Sequence, residues 1–309
     1  MEANKKKQVI GIVGPTASGK TALSLPVAQS LKGEILCMDS MQVYRHMDIG
    51  TAKPTKGEQA LVPHHLMDIR EPGDSFTVTQ YSEEARKVLE SVSVPILVGG
   101  TGLYLQALSQ PMDYGTVSGD EEIRRKYHEI ADTQSNEALH AILKRKDPVS
   151  AAKLHPNDVR RVVRALEVFD LTGQPLSRQA APDPDASEWD FRLYAVDWPR
   201  ETLYHRVDRR VDAMIRDGLP DEVEALLRSG VSPDCQAMQG LGYKELIPVL
   251  AGEMTLEDAV SLIKLRTRHY AKRQLTWFRR DKSIRWLPST DDPDEAVQMI
   301  CEDYLHDRK

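Results

Sequence analysis

The segment Gly14-Pro15-Thr16-Ala17-Ser18-Gly19-Lys20-Thr21 constrains the fold more than any other part of the chain. It matches the pattern G-x-x-x-x-G-K-[ST] and stands directly between an apolar run, Val9 to Val13, and a helix-length segment, Lys20 to Leu31. In that order of strand, glycine-rich turn and helix, successive backbone amides converge on phosphate oxygens. Gly14 and Gly19 permit the turn, Lys20 supplies a mobile cation, and Thr21 supplies a hydroxyl for a magnesium ion. The octapeptide predicts a loop, Gly14 to Thr21, that grips a diphosphate or triphosphate.

Three further short runs, Glu34 to Met38, Val94 to Val98 and Phe191 to Val196, are rich in Val, Ile and Leu and mostly unalternated, as strands covered on both faces are. Helix-length segments such as Lys20 to Leu31 and Val78 to Ser91 lie between strands, so the expected fold is α/β: a P-loop NTPase-like parallel sheet flanked by helices. Pro26 removes a hydrogen bond inside the first helix and predicts a kink. From Met112 to Glu188 the strand signal gives way to helical segments, Asp120 to Asp132, Asn136 to Lys144 and Asn157 to Leu171. This predicts an inserted all-helical lobe, 112–188, in a core formed by 1–111 and 189–309. Its exit, Ala180 to Ser187, has the Pro and Asp content of an exposed linker. Glu201 to Asp217, Asp221 to Ser229, Tyr243 to Leu250 and Thr255 to Arg280 complete the core as helices.

No run of about 18 apolar residues exists to span a bilayer, and the basic start, Met1 to Lys7, lacks a signal-peptide pattern, so a cytoplasmic protein is expected. Cys37, Cys235 and Cys301 are three thiols spaced for neither disulfides nor zinc. The net charge is -6, yet residues 264–285 carry nine Lys or Arg against one Asp. Within that helix Arg266, Arg273 and Arg280 recur every seven residues and form one stripe, with Leu262, Leu265, Leu275 and Phe278 facing elsewhere. Such a stripe is suited to tracking phosphates.

Asp39 follows the second strand at its carboxyl end, the edge where open α/β sheets bind ligands. Three readings fit it: a turn-forming Asp, a carboxylate serving magnesium through water, or a general base acting on an acceptor nucleophile. The third strand ends Gly99-Gly100-Thr101, where many nucleotide hydrolases carry an acidic residue. The glycines permit close backbone approach, and the Thr101 hydroxyl can donate to a phosphate or leaving-group oxygen.

Together these segments, with Met47-Asp48-Ile49-Gly50-Thr51-Ala52-Lys53-Pro54, His155-Pro156-Asn157-Asp158, Arg164-Ala165-Leu166-Glu167-Val168, Gly242-Tyr243 and Ala271-Lys272-Arg273-Gln274-Leu275-Thr276-Trp277, closely resemble the bacterial tRNA dimethylallyltransferases over almost the whole chain. The resemblance implies transfer of a dimethylallyl group from its diphosphate to N6 of adenosine 37 in tRNAs reading codons that begin with U. It implies magnesium as cofactor, and it recasts the loop as a holder of the leaving diphosphate. By similarity, Lys20, Thr101, Arg206 and Arg210 stabilise the charge growing on that group, and Asp39 accepts the N6 proton.

The same resemblance assigns tRNA contacts to Asp39, Ser40, Met41 and Gln42, to Thr101, to Gln239, Gly242, Tyr243 and Lys244, and to Arg266, Lys272, Arg273 and Arg280. In the insertion it assigns the anticodon stem-loop to Arg124, Arg160, Arg161 and Arg164. Family members commonly carry Pro-Gln where this chain has Val159-Arg160, a departure that bears on Arg160. A monomer is the expected state. Two rival functions share the loop: a small-molecule kinase of the nucleoside-monophosphate type, and a non-enzymatic RNA-binding nucleotide switch.

Overall fold

The computed structural model describes residues 6–110, 119–178, 187–289 and 292–306. The expected boundary near 112 and most of the expected linker, 180–186, lie outside these residues. The chain divides into two compact units, Met1–Ser109 with Ser187–Lys309, and Gln110–Ala186.

The first unit is built on six parallel strands: β1 (Lys7–Val13), β2 (Glu34–Met38), β3 (His64–His65), β4 (Pro95–Gly99), β5 (Trp189–Asp197) and β6 (Arg285–Pro288), in the order β3-β2-β4-β1-β5-β6. The unalternated runs are the reason both faces are filled. Successive side chains of a strand point to opposite faces, so Val9 and Val13 enter one core with Leu36, Met38 and Leu97. Ile10 and Ile12 enter the other with Ile35 and Ile96.

The second of these cores is closed by Leu23, Val27 and Ala28 of α1 (Lys20–Leu31) and by Ala296, Ile300 and Tyr304 of α13 (Asp294–His306). The first is closed by Tyr81, Ala85 and Leu89 of α3 (Val78–Ser91) and Val223 and Leu226 of α10 (Leu219–Arg228). Thr77 and Gln80 form a capping box that fixes where α3 starts. Helix α1 runs continuously through Pro26. Helices α2 (Lys56–Leu61), α4 (Gly102–Ser109), α9 (Arg200–Arg216), α11 (Tyr243–Leu250) and α12 (Leu256–Phe278) complete this unit. Among the described residues no helix is long and apolar enough to cross a membrane.

The second unit holds α5 (Glu121–Thr133), α6 (Asn136–Lys146), α7 (Pro148–Lys153) and α8 (Val159–Thr172), followed by a short 3-10 turn, Leu176–Arg178. It has its own core of Tyr127, Leu139, Leu143, Val162, Val163 and Leu166. The Asp147 carboxylate accepts from Ser150 N at 3.0 Å and Ser177 N at 2.9 Å, so one side chain caps α7 and ties down the 3-10 turn.

The strands the sequence does not announce are short, and α13 is not announced either. β3 has two residues, and β6 reads Arg-Trp-Leu-Pro with only Leu287 buried. Arg280 lies two positions beyond the end of α12, though its amide still reaches back to the Trp277 carbonyl at 3.1 Å.

Candidate active site

Strand register brings the site together. Gly99 pairs with Val13 on one side and with Met38 on the other, so β1, β2 and β4 end level. The chain then leaves them as the Gly14 loop, Asp39 and Gly100-Thr101 respectively. Gly99 is required by that closeness: an added Cβ would lie 2.0 Å from the Met38 carbonyl oxygen.

The loop is wound by positive φ at Gly14, Ala17 and Gly19, and Gly19 caps α1. Lys20 Nζ bends back over it, donating to Pro15 O at 2.6 Å and Gly14 O at 3.1 Å. The Ser18 hydroxyl is buried without a hydrogen-bond partner among the described residues, a deficit that a phosphate oxygen would satisfy.

A second layer of side chains holds the loop from behind. Arg206 of α9 donates through Nε to Ala17 O at 3.0 Å and lies over the Trp198 ring at 4.2 Å; Trp198 Nε1 donates to Ser18 O at 3.0 Å. One turn along α9, Arg210 Nη1 donates to Thr16 Oγ1 at 3.4 Å. Gln274 of α12 bridges two strand ends, accepting from Thr16 N at 2.8 Å and donating to Gly100 O at 2.9 Å. The loop therefore does not hold its shape alone.

Electrostatics mark this as an anion site. Desolvation, then the Arg210 charge, lowers the Lys20 pKa to about 7, opposed by Asp39. Desolvation and then Arg206 lower that of Arg210, again opposed by Asp39. Three cations thus crowd one loop, with Asp39 the carboxylate that faces them. Two phosphates would relieve that repulsion.

Asp39 Oδ1 accepts from Met41 N at 2.8 Å, an Asx-type turn, and Ser40 N donates to Thr101 Oγ1 at 3.3 Å. The Tyr270 hydroxyl of α12 has its pKa raised by burial and then by the Asp39 charge. Gln42 is turned inward, donating to Thr51 O at 3.1 Å and Ala52 O at 3.2 Å while accepting from the Cys37 thiol. Burial pushes the Cys37 thiol up, as suits a structural cysteine.

The 48–50 loop is clamped by Glu222, whose carboxylate accepts from the amides of Asp48 at 2.9 Å, Ile49 at 2.8 Å and Gly50 at 3.1 Å and from Tyr243 OH at 2.5 Å. Tyr243 is buried, and its side chain supports this loop. Nearby, Gln239 donates to Pro233 O at 3.0 Å, Gly242 N donates to Glu245 at 2.8 Å, and Lys244 is half-buried.

Among the described residues, five of the nine cations in 264–285 are held in ion pairs. Arg266 pairs with buried Glu245 at 2.7 Å, Arg268 with Asp208 at 2.7 Å, Lys264 with Asp212 at 2.6 Å and Arg279 with Asp197 at 2.7 Å; Arg285 pairs with Asp303. Lys272, Arg273 and Arg280 are exposed and in no ion pair among the described residues; Arg273 sits 5.8 Å from the Tyr270 ring centre. Leu265, expected to face away from the arginine stripe, is 43% exposed.

Within the insertion, Arg124 and Arg164 converge on the fully buried Glu167, at 2.8 and 2.6 Å, and the Asp120 amide donates to the same carboxylate at 2.8 Å. Burial opposes ionisation of Glu167, but the Arg164 hydrogen bond leads a set of contacts that lowers its pKa. Arg161 pairs with Asp158 at 3.2 Å and is largely exposed, and Arg160 is exposed.

Arg206 and Arg210 were reached by similarity alone, and Trp198, Gln274, Tyr270 and Glu222 carried no assignment. Gln274 had a signal, since it lies within the Ala271 to Trp277 segment, four residues after the stripe's neighbour Tyr270 on the buried side of α12.

Comparison with known proteins accords with this arrangement. The sequence model of the family described as IPP transferase matches residues 42–281, and that described as Isopentenyl transferase matches 7–70. A protein named tRNA dimethylallyltransferase from Pelotomaculum thermopropionicum is 46% identical over 288 residues, covering 92% of this chain and 91% of its own. The solved tRNA isopentenylpyrophosphate transferase of Bacillus halodurans superposes with a TM-score of 0.72 at 41% identity, over 98% of this chain and 96% of its own. A eukaryotic dimethylallyltransferase acting on tRNA reaches 0.81 at 31% identity, over 98% of this chain and 80% of its own. With a cation-lined loop, an aspartate across one strand and matches over nearly its full length, this chain belongs to the IPP transferase family.

Proposed function

We infer that this protein transfers a dimethylallyl group from dimethylallyl diphosphate to N6 of adenosine 37 in tRNAs reading codons that begin with U. The observation that carries this reading is the adjacency of an anion-binding loop crowded by Lys20, Arg206 and Arg210 to a carboxylate, Asp39, two strands away. The relatives' names supply the group transferred and the acceptor. The kinase and switch alternatives have no such support.

The residues divide the work. An adenine exocyclic amine is a poor nucleophile, so the donor carbon must be made electrophilic, and an allylic carbon delocalises developing positive charge. Lys20, Arg206, Arg210 and Ser18 take the charge that grows on the diphosphate as the carbon–oxygen bond breaks. Thr101 donates to a leaving-group oxygen. The N6 lone pair forms the new carbon–nitrogen bond, and Asp39 accepts the proton lost from nitrogen before passing it to water.

Magnesium fits the donor set. Among the described residues no three His, Cys, Asp or Glu gather into a metal cage, but magnesium characteristically takes one or two protein oxygens plus phosphate oxygens and water. Thr21 would hold it, and the ion would add positive charge at the diphosphate.

Exposed Lys272, Arg273 and Arg280 in the first unit, and Arg160 and Arg161 in the insertion, are the cations we assign to tRNA phosphates. Arg124, Arg164 and Arg266 contribute field from ion pairs already made. The protein would act as a monomer in the cytoplasm. The test is to incubate it with dimethylallyl diphosphate, magnesium and unmodified tRNA and to digest the product: one adenosine in the anticodon loop gains a dimethylallyl group, and Lys20→Met abolishes the gain. Nucleoside triphosphate hydrolysis with no prenylated adenosine would overturn the reading.

A further inference from the structure

The seven-residue spacing of the arginines on α12 has a counterpart in aromatic residues. Arg266, Tyr270, Arg273, Trp277 and Arg280 follow one another at intervals of four, three, four and three residues. At 3.6 residues per turn Arg266, Tyr270, Arg273 and Trp277 share one face of α12, and Arg280 follows in the turn just past its end. Cation and aromatic ring therefore alternate along a single line.

The two rings differ in exposure. Tyr270 is half-buried, whereas Trp277 is 38% exposed and is the one exposed Phe, Tyr or Trp side chain among the described residues. Trp277 is nonetheless held. Its indole edge lies against the backbone of Gly102, where an added Cβ would meet Nε1 at 2.2 Å and Cδ1 at 2.3 Å. Gly102 follows Thr101, so the exposed ring borders the expected acceptor site. Near it Lys272, Arg273 and Arg280 are exposed and form no ion pair among the described residues, whereas Arg279 pairs with Asp197.

Leaving part of a Trp face in water forgoes apolar burial that the fold could otherwise use. A flat ring flanked by cations on both sides suits a single-stranded nucleic acid, with base on ring and phosphates on guanidinium groups. We propose that Trp277 is a stacking platform for an unpaired nucleobase of the RNA substrate next to the acceptor, with Arg273 and Arg280 on the phosphates either side. This rests on the tRNA reading above.

The test compares Trp277→Phe, which keeps an aromatic face, with Trp277→Leu, which keeps apolar packing on Gly102 without one. The probe is an unmodified anticodon stem-loop RNA whose loop nucleotides are replaced one at a time by the fluorescent base 2-aminopurine. With wild-type protein and Trp277→Phe, one loop position beside the acceptor is quenched on binding. Trp277→Leu loses that quenching and binds the RNA about ten-fold or more weakly, while melting within a few degrees of Trp277→Phe and binding dimethylallyl diphosphate unchanged. Equal RNA affinity and equal quenching for Leu and Phe overturn the proposal, as does a Leu variant that instead weakens donor binding. Failure of the wild-type protein to bind or modify the RNA would sink the tRNA reading itself, a separate result.

Discussion

Arg206 reaches across from α9 to donate to the Ala17 carbonyl at 3.0 Å, and Ala17 is the non-glycine residue of the phosphate loop held at positive φ. The guanidinium rests on Trp198, so its plane is fixed before any ligand arrives. A lysine can keep the charge but neither the stacking nor the donor geometry.

Arg206→Lys is accordingly expected to slow single-turnover prenyl transfer by roughly a hundredfold, the scale seen for removing one preorganised donor at a charged transition state. The thermal midpoint should move little. A rate near wild type would remove Arg206 from charge stabilisation.

Lys20 gives a pH signature. With a pKa of about 7 in the free protein it is mostly neutral at pH 8, and a bound diphosphate stabilises its charged form. Donor binding at pH 8 should therefore take up close to one more proton in wild type than in Lys20→Met, measured calorimetrically in buffers of different ionisation enthalpy. The stability sign is also fixed. The folded pKa lies below the unfolded value of 10.5, so the unfolded chain binds the extra proton between the two. Wild type should gain stability relative to Lys20→Met as pH rises from about 7 toward 10.

Asp39 is both a turn former and a base in this account, and Asn separates the roles. Asn preserves an acceptor for the Met41 amide but does not take a proton at neutral pH. Asp39→Asn should keep tRNA affinity and melting behaviour while losing about 100-fold or more in single-turnover rate. A loss of only a few-fold would leave the carboxylate as a turn residue.

In the insertion, the buried Glu167 carries two arginines and one backbone amide. Glu167→Ala strands those groups and should destabilise the insertion by about 3 to 5 kcal/mol, seen by hydrogen exchange localised to α5 and α8. Unchanged exchange there would contradict a structural role.

How far the sequence disclosed this molecule follows from the range of the forces involved. The loop, α1, α3 and α11 were legible because glycine spacing, helix periodicity and apolar runs are local. β3 and β6 were not: two residues and an Arg-Trp-Leu-Pro tetrapeptide become strands only by pairing with β2 and β5. The same limit applied at the site. Lys20 and Thr21 follow from their neighbours in the chain, but Gln274 meets Thr16 across 258 positions, a pairing no spacing rule encodes. The arginine stripe is visible as a pattern, but not Glu245, which neutralises Arg266, nor Glu167, which absorbs Arg124 and Arg164. Nor does the Gly242-Tyr243 motif disclose that the Tyr243 hydroxyl meets Glu222.

The central claim is that the loop holds a departing diphosphate and that carbon–oxygen cleavage is the chemical step. It is tested most directly with dimethylallyl diphosphate carrying heavy oxygen at the position bridging carbon and phosphorus. After one turnover on unmodified tRNA, mass spectrometry should find the label wholly in the released diphosphate and none in the prenylated adenosine. Label retained on a carbon-bound hydroxyl, with phosphate transferred elsewhere, would show phosphorus–oxygen cleavage and contradict the account.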